Sequence, residues 1–169
     1  MKSEFCKALV TLAFTGICMF SLAASASAQV EDWDLAARVL EGSWTVQVTQ
    51  RDCSSGAALG TPFLSLLTFG RGGTLLETTE NPMFYPAVRG PGHGVWSHTG
   101  YRTFRALSTA FITSSGVLAK TQTITQTIEM GDNPDTFTTT SASVVFVPAA
   151  PGPTITGCAT ATAKRIELN

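Results

Sequence analysis

Few side chains in this chain have the chemistry to bind or react. Glu77 shares the parity of Leu75 and Thr79 in a Thr-rich run, so alternate facing along a strand turns it inward. A carboxylate held inside needs donors beside it. Tyr101, Arg102 and Arg105 are the candidates, with Tyr101 or Arg105 placed to orient a ligand or substrate. Further along, Gln122, Ile124, Gln126 and Ile128 form one row and Thr121, Thr123, Thr125 and Thr127 the other. The isoleucine row is expected inside. Gln122 and Gln126 then become interior amides that require partners from protein, solvent or ligand. Trp96, within Gly94-Val95-Trp96, is a further candidate lining residue.

No metal or cofactor site is expected. His93 and His98 are five apart and face opposite sides of one strand, which gives no shared ligand set. The chain has no G-x-S-x-G nucleophile elbow, H-E-x-x-H zinc pattern, phosphate-binding glycine loop or dinucleotide fingerprint. Gly70-Arg71-Gly72-Gly73 reads as a hairpin turn.

The first 28 residues have the order of a secretory leader. Lys2 and Lys7 precede an apolar stretch over residues 8–22, and Ala26-Ser27-Ala28 forms a small-residue cleavage site, with cutting expected after Ala28. The apolar stretch is shorter than the roughly 20 residues that span a bilayer. The expectation is export to a periplasmic or extracellular space, with no membrane span in the mature form. Removing Lys2, Lys7 and Glu4 from eleven basic and twelve acidic residues leaves nine and eleven, with no long run of either sign. That balance argues against a nucleic-acid or anionic-membrane partner. Cys6 and Cys18 leave with the leader. Cys53 and Cys158 remain and are expected to pair, since disulfides persist in an oxidising compartment.

The positions of these residues depend on an all-β fold. One short N-terminal helix is expected over residues 29–41, where Trp33, Ala36, Ala37 and Leu40 recur at helical spacing. After it, runs rich in Thr, Val, Ile and Phe predict eight strands at residues 43–52, 62–69, 73–80, 94–98, 101–113, 117–130, 136–147 and 154–168. Short turn sequences join most of them. They imply an antiparallel meander closing into an up-and-down β-barrel over residues 42–169. The one long irregular stretch, residues 81–92, carries Pro82, Pro86, Pro91 and the apolar Met83, Phe84 and Tyr85. It reads equally as a cap on the barrel mouth or as a proline-stiffened surface loop.

Parity ties the first strand to the last. Trp44, Val46 and Val48 form the inward row at one end of the chain, and Ala159, Ala161 and Ala163 form it at the other. Cys53 and Cys158 both fall on outward rows, as a bridge across the barrel seam requires. If they sit directly opposite one another, Arg165 falls opposite Val46 and diagonal to Trp44, within reach of a cation–π contact.

At this point the chain resembles the lipocalins and the wider calycin group. Gly42-Ser43-Trp44 is similar to their G-x-W signature, and Arg165 to the basic residue that packs over that tryptophan. The resemblance implies that Trp44 and Arg165 close the bottom of the barrel, a structural role. Beside the resemblance, the inward Ala159, Ala161 and Ala163 leave room inside, and with the barrel pattern they lead to the expectation of an exported lipocalin-like barrel that binds a small, mainly apolar, hydrophobic or amphipathic molecule. Two alternatives stand beside it. One is an isomerase or cyclase of the allene-oxide-cyclase type, in which Glu77 steers charge and Tyr101 or Arg105 positions substrate. The other is a solid barrel, filled by Phe104, Phe111 or Phe146, that acts as a surface interaction module. Binding is favoured over catalysis because so few polar groups are left to react.

Overall fold

The computed structural model describes residues 37–168. Strands occupy Gly42–Arg51 (β1), Ala58–Gly70 (β2), Thr74–Glu80 (β3), Val88–Arg89 (β4), Gly92–Gly100 (β5), Thr103–Ser114 (β6), Val117–Met130 (β7), Thr136–Pro148 (β8) and Ile155–Arg165 (β9). Eight of them form a closed antiparallel ring in which each strand pairs with the next long one and β9 returns to β1. The ninth, β4, is two residues long and pairs with the far end of β6, beyond the stretch that β5 covers. It lies inside the stretch read from sequence as irregular. Two residues are too few to show an alternation of their own.

The alternation that predicts the strands also fixes their faces. In β1, Trp44 and Val46 are buried while Thr45 and Gln47 are exposed, and β3 buries Leu75 and Glu77 between exposed neighbours. Register shifts interrupt β1–β2, β5–β6, β6–β7, β7–β8 and β8–β9. Such bulges add local twist, which helps strands of this length to coil into a ring.

One end of the barrel is solid. Trp44 packs on Phe137 at 4.9 Å between ring centroids, Phe69 meets Phe137 edge-on at 6.1 Å and Trp96 at 5.9 Å, and Trp96 leans on Phe104 at 5.8 Å. Leu40, Leu75, Ile128 and Met130 complete this core. The Trp44 indole N–H donates to Leu40 O at 3.0 Å, and the Arg165 guanidinium lies 4.2 Å from the Trp44 ring centroid. Arg165 also donates to Glu41 O, Val39 O and the Asp135 carboxylate, which ties the chain entry and the β7–β8 turn to the last strand. Gly42 is required here. Its φ is +123°, and a Cβ would come within 2.8 Å of Arg165 Nη1.

The disulfide joins Cys53 and Cys158 with Cα atoms 5.2 Å apart. Its register differs from direct opposition by two residues: Cys158 faces Arg51, and Trp44 faces Arg165 directly. The cause is local. β1 ends at Arg51 because the Asp52 carboxylate accepts from the backbone and hydroxyls of Ser54 and Ser55, folding Cys53 into a turn beyond the strand.

Residues 1–28, read as a leader, lie outside the described residues, as does most of the expected N-terminal helix. The part described, from Ala37, is a turn in which Leu40 N–H donates to Ala37 O and Glu41 N–H to Arg38 O. No helix among the described residues is long and apolar enough to cross a membrane.

Candidate functional site

Away from the aromatic end, the inward residues become small or polar and the barrel is hollow. Val46 and Val48 of β1, Ala159 and Ala161 of β9 and Ala142 of β8, on three adjacent strands, form one wall of a cavity of about 230 Å³. Leu67, Phe63, Ile124, Val144 and Phe146 supply the rest of its apolar wall. Ala163 sits lower, in the aromatic core. The strand ends at Arg51, Leu59 and Cys158 border the mouth, together with Asn81 and Phe84 from the segment between β3 and β4. That segment is held over the opening by a short 3-10 turn, Pro82–Phe84. Asn81 caps the turn through its side chain, and Phe84 packs edge-on against Phe146 at 6.3 Å. Of the two readings the sequence left open for this stretch, the structure has the cap at the mouth.

A polar cluster is set into one wall, halfway down. Glu77 is 5% exposed and Arg89, from β4, has a side chain only 2% exposed; Arg89 Nη2 lies 2.8 Å from Glu77 Oε1. Thr79 donates to the same carboxylate oxygen at 2.7 Å, and Ser108 donates to Oε2 at 2.6 Å. With its proton given to Glu77, Thr79 can only accept from the Ser65 hydroxyl 2.9 Å away, whose single proton is shared with Thr78 O at 3.1 Å. Arg89 continues the network by donating from Nε to the Gln122 side-chain oxygen and from Nη1 to Gly90 O. Burial pulls the Arg89 guanidinium below its ordinary value, and the Glu77 charge opposes that shift.

Sequence and register explain why this cluster fits. Glu77 pairs across the sheet with Gly92, where a Cβ would lie 2.9 Å from Glu77 Oε2 and 3.5 Å from Arg89 Nη2. Only glycine leaves space there for the carboxylate and its cation. Both glutamines of the β7 row line the cavity as well, and Gln126 accepts from Thr139 at 3.2 Å.

The three expected neighbours of Glu77 lie elsewhere, Arg102 on the surface in a 3.0 Å ion pair with Asp132. Tyr101 is 92% exposed in the β5–β6 turn, and Arg105 points outward from β6 on the row opposite to buried Phe104, Ala106 and Ser108. Neither reaches Glu77, so the isomerase version that depended on them loses its positioning groups. Trp96 does point inward, but at the solid end, where its indole N–H donates to Gly70 O at 3.0 Å; it does not line the cavity. Phe111, expected as possible filling, is 61% exposed on the outside, while Phe104 belongs to the floor and Phe146 to the mouth.

Arg89, Ser108, Ser65 and Thr79 are the site residues that the sequence reading missed. For Ser108 a signal existed: it shares the inward parity of Phe104 and Ala106. For Arg89 there was none, because its two-residue strand lies between prolines in a segment without period. The described residues contain no group of three or more His, Cys, Asp and Glu that could hold a metal ion.

Fold and site together define a closed eight-stranded β-barrel with one packed end and one hollow end. No family model matches the chain, and no curated protein matches it. Among solved structures it is similar to EF1p2_mFAP2b bound to DFHBI, with a TM-score of 0.51 and 19% identity over 79% of this chain and 99% of that one. Rv2717c from M. tuberculosis gives a TM-score of 0.41 and 15% identity over 79% of this chain and 96% of that one.

Proposed function

We propose that this chain is an exported barrel that binds a small, mainly apolar molecule in its hollow half. The observation that carries the proposal is the cavity of about 230 Å³, apolar over most of its wall and interrupted by one polar cluster. Apolar surface removed from water supplies affinity, and a few placed polar groups supply orientation. The barrel that it resembles, EF1p2_mFAP2b, holds DFHBI, which is in keeping with this use of the fold. Export rests on the leader-like residues 1–28 and agrees with the Cys53–Cys158 bridge.

Binding suits the site better than catalysis. Glu77 accepts from Arg89, Thr79 and Ser108, so its oxygens are engaged by the protein itself and it is not poised as a base. The test is mass spectrometry of organic extracts from protein purified natively, together with titration by the neutral dye N-phenyl-naphthylamine. The expected result is a co-purifying small molecule, or saturable dye binding at one site that apolar competitors displace. Extracts without a ligand, together with dye that does not bind or cannot be displaced, would overturn the proposal.

A further inference from the structure

We infer that the cavity, if it binds ligand as proposed above, selects uncharged and largely apolar molecules carrying a carbonyl-type oxygen, and that the Gln122 side-chain NH2 recognises that oxygen. Gln122 is 94% buried, being 6% exposed, and lines the cavity. Its side-chain oxygen accepts from Arg89 Nε. A guanidinium has donors and no acceptor, so the amide cannot be turned round without setting two donors against each other. The oxygen is thereby committed to Arg89 and the nitrogen to the cavity side, where no acceptor among the described residues meets it. A ligand that displaces solvent from this donor without supplying an oxygen strands it, at a cost in affinity.

Gln126 gives no such commitment. Its partner Thr139 can donate or accept, so either end of that amide can face inward.

The surrounding charge argues for a neutral ligand. Glu77 lines the cavity while Arg89, its counter-ion, does not, so an anion would meet the carboxylate with the cation behind it. A cation would find that carboxylate already holding three donors.

The test compares methyl naphthyl ketone with its isopropenyl analogue, which has the same outline but carries CH2 in place of the oxygen. Affinities are measured by calorimetry, and the Gln122 side-chain amide is followed by isotope-edited NMR. The wild-type protein should prefer the ketone by about tenfold. The ketone alone should shift the Gln122 NH2 resonances, and Gln122→Met should bring the two affinities within about twofold of each other while the alkene still binds. Equal affinities in the wild type, or a preference that survives in Gln122→Met, would overturn this inference and leave the binding proposal intact. If neither probe binds the wild type, the selection inferred here is overturned, and the binding proposal stands or falls on its own extract and dye test. Should Gln122→Met fail to fold, the amide shift in the wild type decides: present with the ketone only, it supports the assignment; absent or common to both probes, it overturns it.

Discussion

The two halves of this barrel use one strand pattern for opposite ends. Around Trp44 the inward row is filled by Phe69, Phe104, Phe137 and Trp96, and the rings leave no room. A few residues further along the same strands, that row becomes Val48 on β1, Ala142 and Val144 on β8, and Ala161 and Ala159 on β9, and a cavity opens. Facing alternates in both halves, with one change of phase on β8 at the register shift between Thr139 and Ala142. Side-chain volume alone separates a sealed floor from a binding chamber.

The halves also differ in how they hold polar groups. At the floor, Arg165 lies over an aromatic face and donates to main-chain carbonyls, so its role is to lock chain segments together. In the hollow half, Arg89 is buried against a carboxylate and an amide that both line the cavity. One arginine closes the barrel and the other conditions its interior.

The contrast can be broken from either end. Trp44→Ala removes the centre of the floor and should cost about 3–5 kcal/mol, read by urea denaturation. Arg89→Met leaves Glu77 buried without its cation and should cost about 3 kcal/mol or more; adding Glu77→Gln to that variant should recover part of the loss. If the double variant is no more stable than Arg89→Met, the pair is not the coupled unit described here.

Opening the Cys53–Cys158 bridge by replacing both cysteines with serine should cost on the order of 2–5 kcal/mol, because the residues it joins are 105 apart in the chain. Since the bridge lies at the mouth, hydrogen exchange should rise most in the Asp52 turn and the start of β9. A uniform rise would contradict that placement.

The smallest effect expected is a pH response of the mouth turn. Hydrogen bonds from Ser54 and Ser55 hold the Asp52 carboxyl well below its ordinary value of 3.8. A lowered folded-state value contributes stability that is present above the unfolded value and fades as pH falls below it. The stability gap between wild type and Asp52→Asn should therefore be present at neutral pH and narrow below about pH 4, as followed by urea midpoints.

Much of the barrel was legible from periodicity, because inward residues recur every second position and β7 coincides in both limits with its sequence reading. The floor was legible too: Trp44 and Arg165 stand out as rare residue types at the first and last strands. Setting the two cysteines opposite each other gives a register two residues away from the observed one, because Cys53 lies in a turn beyond β1. The polar cluster was half legible. Glu77, Gln122 and Gln126 follow strand parity, whereas Arg89 comes from a segment whose course depends on tertiary pairing with β6. Tyr101 and Arg105 suit Glu77 by chemistry but not by position, since Tyr101 lies in a turn and Arg105 on the outward row of β6.

Filling the hollow half tests the central claim most directly. Phenylalanine at position 159 would overpack a dense core and cost about 1–3 kcal/mol there. In a true cavity, Ala159→Phe should change stability by less than about 1 kcal/mol and abolish binding of N-phenyl-naphthylamine, with titration and urea denaturation run on the same preparation. Dye binding that persists unchanged in a folded Ala159→Phe protein would contradict the account, because the ligand would then lie outside the chamber.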